Sequence, residues 1–289
     1  MTKSMLDEAG LREQYIQLIM KTLSFSLWQE EAVPLHTSYR HRRLVWRSIG
    51  TMLSTLVRPF GYTLYERTRY ADQQKFEGYI WPTYADTMIG TPRLENIRDC
   101  ILNCFAENVP GDFIEAGVWR GGGSIFMAAI LNAYQISDRK IFVADSFQGL
   151  PPPDAETYPA DKGDKHSKYN KILSVSLEEV QRNFEKYDLL HDNIVFVPGW
   201  FKDTLPTLKD NRFAVIRLDG DMYGSTIESL DNLYPLLSVG GYCIIDDYAL
   251  DGCRKAVDDY RARFSITEPI ISIDWTGAYW KKEVDILSL

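Results

Sequence analysis

The sequence predicts an α/β protein: a doubly wound, mostly parallel sheet preceded by an N-terminal helical extension. Three observations predict it. From residue 111 onward, short apolar runs alternate with amphipathic stretches of helix length, the signature of repeated strand–helix crossovers onto a buried parallel sheet. Acids and glycines gather directly after those apolar runs, at the carboxyl ends of strands where such sheets bind ligands. Residues 8–70 instead carry helical periodicity and an arginine-rich stretch.

Taken in order, "LREQYIQLIMKTLSFSL" and "RLVWRSIGTMLSTLV" read as two helices separated by a loop containing Pro34 and His36; apolar residues recur there at helical spacing. "DFIEAGV" (112–118) reads as the first core strand, followed by a helix from Gly122 to Tyr134. "KIFVADSF" (140–147) is the second strand. After a long loop comes "SLEEVQRNFEKYDLL", whose Ser-x-x-Glu opening is a capping box. "NIVFVPGWF", "FAVIRLDGD" and "GGYCIIDDY" (240–248) are further buried strands, with helices over 225–237 and 251–264; "EPIISI" and "AYWKK" form a closing pair. The division this predicts is a helical cover and oligomerisation segment over 1–85 and a catalytic domain over 86–289.

Composition narrows the function classes. The 289 residues are 45% hydrophobic and 25% charged, ordinary for a globular protein with a sizeable core. No run reaches the ~20 apolar residues of a membrane span, and the N-terminus lacks a signal-peptide layout. Cys100, Cys104, Cys243 and Cys253 make no CxxC pair, which suits reduced core thiols in a cytoplasm and disfavours a zinc site. The net charge is -8, yet Ser38–Tyr70 holds seven arginines and one acid, Glu66. The acidic remainder argues against a nucleic-acid partner. The basic stretch is a solvated helix flank first, with a subunit contact, a membrane-surface patch or an anion site as alternatives.

The first crossover, "GDFIEAGVWRGGGS", places Glu115 at a strand end, then Gly117 and Gly121–Gly123. Glycines there allow a tight turn and close approach of a ligand to a helix N-terminus. This is not a GxGxxG fingerprint, and Glu115 would sit against a pyrophosphate; a cationic ligand suits it better. Asp145, ending the second strand, is placed to accept both hydroxyls of a ribose. Together these features favour S-adenosylmethionine over a nicotinamide cofactor. Asp219, Asp221, Asp246 and Asp247 then end two further apolar runs. Taken singly, Asp219 or Asp221 reads equally well as a cap of the following helix, and Asp247 as an Asx turn, as any of them does as a functional acid. Four acids meeting at one sheet edge without a cation is the less favourable arrangement.

"PGDFIEAGVWRGGGSIFM", "VADSFQGLPPPD", "RLDGDMYGST" and "IIDDY" resemble the signatures of the macrocin O-methyltransferase (TylF-like) family, class I methyltransferases with a Rossmann-like sheet. The likeness extends to "YIQLIMKTLSFSL" and to "WPTYADTMIG", a segment that closes over the cofactor in that family, so it spans nearly the whole chain. The family often carries an acid before the Trp-Pro pair, where this chain has Ile80 before Trp81 and Pro82; the departure bears on acceptor preference. The resemblance implies methylation of a sugar or polyol hydroxyl in a natural product, with Mg²⁺ or another divalent cation on Asp219, Asp246 and Asp247 and Asp221 as general base. It also implies cofactor contacts at Met88, Ser124 and Ser146, beside Glu115, Gly117 and Asp145.

Trp200, after the third core strand, reads equally as an adenine-stacking ring or a core aromatic. His166 and His191 are further base candidates; His191 opens a turn and belongs on the surface. Residues 151–172, too long and polar for a simple connector, read as a mobile lid over acceptor and cofactor. Two rival functions stand beside methyl transfer. The Asp219-x-Asp221 pair also occurs in metal-dependent glycosyltransferases, although Glu115 and the second acid pair fit that poorly. A non-catalytic binding module of the same fold would use the arginine-rich segment.

Overall fold

The computed structural model describes residues 7–29, 32–34, 44–67 and 70–285. The chain runs through α1 (Glu8–Leu23), β1 (Ala32–Pro34), α2 (Leu44–Val57), β2 (Tyr65–Arg67), α3 (Asp72–Phe76), α4 (Thr91–Ala106), β3 (Asp112–Ala116) and α5 (Gly122–Ala133). It continues through β4 (Ile141–Asp145), α6 (Asn170–Leu173), α7 (Leu177–Lys186), β5 (Ile194–Pro198), α8 (Phe201–Thr204), β6 (Phe213–Leu218) and α9 (Tyr223–Leu233). It ends in β7 (Leu237–Ile245), α10 (Asp251–Arg263), β8 (Ile271–Ser272) and β9 (Ala278–Lys281). Of the arginine-rich stretch, residues 38–43, 68 and 69 lie outside the described residues.

Seven strands form one sheet in the order β5-β4-β3-β6-β7-β9-β8, parallel from β5 to β7, with β9 antiparallel to both its neighbours. The expected fold class is therefore the one found. The chain winds outward from β3 to β5, then returns to place β6 on the other side of β3. That reversal is the switch point at which doubly wound sheets open a crevice for ligands.

Strand alternation divides the core into two layers. Phe113, Val143, Val215 and Ile244 face the layer of α1, α4 and α5. Ile114, Phe142, Ile216 and Ile245 face the layer containing α9 and α10. The same parity carries Glu115, Arg217 and Asp246 toward the α4 side. α1 buries Ile16, Met20 and Leu23, at spacings of four and three, among the residues of α5; each such side chain contributes roughly 1.5–3 kcal/mol. Asp7 starts the helix by accepting the N–H of Gly10 at 2.8 Å.

Two features depart from the sequence pattern. α4 is a full helix that the alternation from residue 111 leaves unannounced; Pro92 sits in its first turn and Leu94, Ile97, Ile101 and Cys104 are buried. β7 begins at Leu237, three residues before the expected start at Gly240. Gly240 and Gly241 look like a turn, but they lie in an irregularity of the β6–β7 ladder, where the partner jumps from Leu237 to Tyr242, and Gly240 adopts φ +85°. Glycine tolerates such a bulge without ending the strand. No helix among the described residues is long and apolar enough to cross a membrane.

Candidate active site

The crevice at the switch point is a cavity of about 680 Å³, within the range of small-molecule sites. Of the residues singled out in the sequence, Met88, Glu115, Gly117, Asp145, Ser146 and Trp200 line it, as do Asp219, Asp221, Asp246 and Asp247. Ser124 lies one layer behind, buried and donating from Oγ to Glu115 Oε2.

The glycine turn is shaped by close packing. Gly117 has φ +91°, and a Cβ there would sit 2.0 Å from the carbonyl oxygen of Asp219; only glycine lets the ends of β3 and β6 approach so closely. A Cβ on Gly123 would lie 2.2 Å from Glu115 Oε1. Asp145 braces the turn from β4. Its Oδ2 accepts the N–H of Val118 at 2.8 Å and its Oδ1 that of Phe147 at 2.7 Å. Burial raises its pKa, against these backbone hydrogen bonds.

The acids are held by two arginines that the motif reading did not single out. Arg217, inside β6 and only 2% exposed, is the register partner of Glu115 on β3. Its Nη1 donates to Glu115 Oε1 at 2.6 Å, and its Nη2 to Asp219 Oδ2 at 3.1 Å and to Asp246 Oδ1. Arg93 of α4 donates from Nη1 to Asp246 Oδ2 and from Nε to Asp274 Oδ2 at 3.0 Å. A cation inside an otherwise apolar strand, "VIRL", was the available signal.

Asp246 thus spends both oxygens on guanidiniums. Burial works to raise its pKa, but Arg217 and Arg93 outweigh it and hold the carboxyl below its usual range. The remaining acids behave oppositely. Asp219 is pushed well up by burial and then by Asp246 and Asp247. Asp221 is pushed up to about 8 by burial and then by Asp219, and Asp247 to about 8 by burial and then by Asp221. One oxygen from each of Asp219, Asp221 and Asp247 falls within 4.8 Å of the others. Six carboxylates, counting Glu115, Asp246 and Asp274, therefore gather around two guanidiniums. An oxygen-only, electron-rich donor set of this kind suits a hard divalent cation. Asp221 also adopts φ +55°, a left-handed backbone that aspartate tolerates better than most residues.

The covering segments are ordered around the cavity. Within 151–172, Asp161 accepts the N–H groups of Tyr223 and Gly224 at 2.8 and 2.9 Å. It supplies the side-chain cap of α9, the structural role open to Asp219 or Asp221 from the sequence. Asn170 exchanges two 2.8 Å hydrogen bonds with the backbone of Leu150. His166 reaches the cavity with its Nδ1 2.6 Å from Asp164, whereas His191 is exposed. On the opposite wall, Arg120 of the glycine turn donates to the carbonyls of Thr83 and Ala85 at 3.0 and 2.7 Å. Trp119 donates from Nε1 to Ile172 at 3.0 Å. One turn thereby holds both covers.

A seven-stranded sheet with its last strand reversed, a glycine turn after β3 and an acid ending β4 define a class I methyltransferase, whose methyl donor is S-adenosylmethionine. The chain belongs to the macrocin-O-methyltransferase (TylF) family, which it matches over residues 12–282. It is 52% identical over 204 residues to the 8-demethyl-8-(2,3-dimethoxy-alpha-L-rhamnosyl)-tetracenomycin-C 4'-O-methyltransferase of Streptomyces olivaceus, covering 71% of this chain and 78% of that protein. It is 47% identical over 215 residues to the mycinamicin III 3''-O-methyltransferase of Micromonospora griseorubida, covering 74% of this chain and 85% of the relative. Among solved structures, the O-methyltransferase NovP superposes with a TM-score of 0.78 at 42% identity, over 94% of this chain and 100% of that one. Membership of an O-methyltransferase family decides against glycosyl transfer and against a non-catalytic module.

Proposed function

We propose that this enzyme transfers the methyl group of S-adenosylmethionine to a hydroxyl of a sugar, or polyol, carried by a natural product, with a divalent cation such as Mg²⁺ and Asp221 as general base. The observation that carries this is the convergence of Asp219, Asp221 and Asp247 in the same cavity as the glycine turn. The sugar hydroxyls named for the tetracenomycin and mycinamicin enzymes support the acceptor class.

Asp219 and Asp247 would hold the ion, with Asp246 as third donor. Each carboxylate oxygen offers two lone pairs, so one guanidinium contact per oxygen leaves Asp246 a site to give. A cation bound there supplies a Lewis acid that lowers the pKa of an adjacent hydroxyl. Asp221 accepts the proton that this hydroxyl gives up. Glu115 faces the cationic end of the donor, Asp145 its ribose hydroxyls and Trp200 its adenine, with Met88, Gly117 and Ser146 completing the wall and Ser124 fixing Glu115. The segment up to residue 85 belongs to the same proposal as cover and oligomerisation element. α2 exposes Ile49, Met52, Leu53 and Leu56, a stripe suited to a second copy. Four free, buried cysteines suit a reducing cytoplasm.

The test offers labelled S-adenosylmethionine and Mg²⁺ with rhamnosylated and other glycosylated natural products, before and after EDTA. Label in the sugar, lost on chelation and restored by Mg²⁺, is expected. Label on the aglycone alone overturns the acceptor class, and full turnover after exhaustive chelation overturns the metal.

A further inference from the structure

Arg217 is a cation without an obvious place: an arginine one residue from the carboxyl end of a central parallel strand, 2% exposed, where aliphatic residues normally stand. Burying a guanidinium costs several kcal/mol unless its N–H groups are matched. Here it meets acids from three strands: Glu115 on β3, Asp219 after β6 and Asp246 after β7. Nε has no partner among the described residues, so the side chain is aimed by its two terminal nitrogens. Arg93 already provides Asp246 with a cation, whereas among the described residues Glu115 has no second guanidinium and its other oxygen accepts from Ser124 alone. Asp219 also pairs with Arg217 alone among the described residues, but at 3.1 Å and with its side chain 30% exposed, whereas Glu115 is 2% exposed and 2.6 Å away; Glu115 is therefore the partner that depends on Arg217 most.

We propose that Arg217 is a positioning residue for the methyl donor: its planar fork fixes the Glu115 carboxylate from behind, while its second nitrogen ties that acid to the Asp219–Asp246 side of the cavity. This rests on the reading that Glu115 faces the donor's cationic end. Arg217 Nη1 and Ser124 Oγ take one Glu115 oxygen each, which leaves the carboxylate a single orientation. A lysine keeps the charge but presents a point donor rather than a fork, and it cannot hold both sides at these distances.

The experiment is a double-mutant cycle on the full-length protein, reading S-adenosylmethionine affinity by calorimetry for wild type, Arg217→Lys, Glu115→Gln and the double variant. Circular dichroism and the melting temperature serve as checks on the fold. Expected are losses of at least tenfold for each single variant, with the double variant no worse than about threefold beyond Glu115→Gln alone, because Arg217 acts through Glu115. Fully multiplying losses would assign Arg217 a general structural role and overturn the inference. So would unchanged affinity in Arg217→Lys beside a clear loss in Glu115→Gln. Unchanged affinity in Glu115→Gln would instead overturn the assignment of Glu115 itself. Should Arg217→Lys fail to fold, Ser124→Ala frees the other Glu115 oxygen. It is expected to weaken the donor in wild type but not beside Glu115→Gln, and a loss undiminished beside Glu115→Gln would overturn the idea that Glu115 is held by fixed donors.

Discussion

The carboxylate of Asp161, in the middle of the covering loop, accepts the backbone N–H of Tyr223 at 2.8 Å, at the first residue of α9. The loop is thereby fastened to the helix that follows the Asp219–Asp221 turn. Replacing Asp161 with alanine removes a buried cap worth about 0.5–2 kcal/mol. A lower melting temperature and faster proteolysis within 151–172 are expected, with donor affinity retained and the acceptor KM raised. Unchanged proteolysis would show that this bond does not fasten the loop.

The crowded acids should make the ion-free protein sensitive to pH. Asp221 and Asp247 rise to about 8 from an ordinary value of 3.8, so near neutrality the folded chain holds protons that the unfolded chain releases. Stability then decreases as pH rises: the contribution of these two groups is fully present below about pH 4 and is lost as pH climbs through about 8. Melting temperatures of EDTA-treated protein should fall between about pH 5 and pH 8, and saturating Mg²⁺ should flatten that slope. A chelated protein that grows more stable over this range would contradict the assignment.

Asp246 and Asp247 are sequence neighbours with opposite surroundings. Asp247→Ala removes one of several mutually repelling carboxylates, so the ion-free variant should be at least as stable as wild type while Mg²⁺ affinity drops. Asp246→Ala strips a partner from both Arg217 and Arg93, leaving Arg217 with Glu115 and Asp219 and Arg93 with Asp274 alone, and buried guanidinium N–H groups without acceptors. Breaking buried pairs in this way costs about 3–5 kcal/mol. Chemical denaturation of the two variants should separate them clearly; equal stabilities would mean that the arginines do not depend on Asp246.

Much of this was legible in the sequence because each signal was local. Buried strands between helices follow from periodicity alone, and Glu115, Asp145 and the aspartates stand at strand ends where the sheet must open. The counter-charges were not legible. Arg93 sits 153 residues from Asp246 on a helix with no motif, and Arg217 lies two residues before Asp219 but reaches Glu115 across the β3–β6 register. Which acid receives which cation depends on strand pairing, a non-local property. The cap from Asp161 is hidden for the same reason, since it spans 62 residues from a loop without periodicity.

Within the converging acids, Asp221→Asn separates the proton acceptor from the ion's ligands. The change keeps nearly the same volume but removes the basic oxygen. If Asp221 takes the acceptor's proton, Mg²⁺ should still bind with near wild-type affinity while turnover falls by the ~10²–10⁴ typical of a lost general base. Raising the pH should recover part of that loss, because solvent hydroxide can replace the missing base. Asp247→Ala should behave differently, losing Mg²⁺ affinity and turnover together, with partial rescue at high Mg²⁺. The pair is informative because Asp221 and Asp247 share the cluster, a pKa near 8 and a cause for it, so proximity alone does not distinguish them. Calorimetric Mg²⁺ titration beside initial rates over a pH series reads both properties on the same preparations. If Asp221→Asn loses Mg²⁺ as severely as Asp247→Ala, Asp221 is a ligand. The proton acceptor is then sought on the covering loop, first at His166, whose ring already faces the cavity against Asp164.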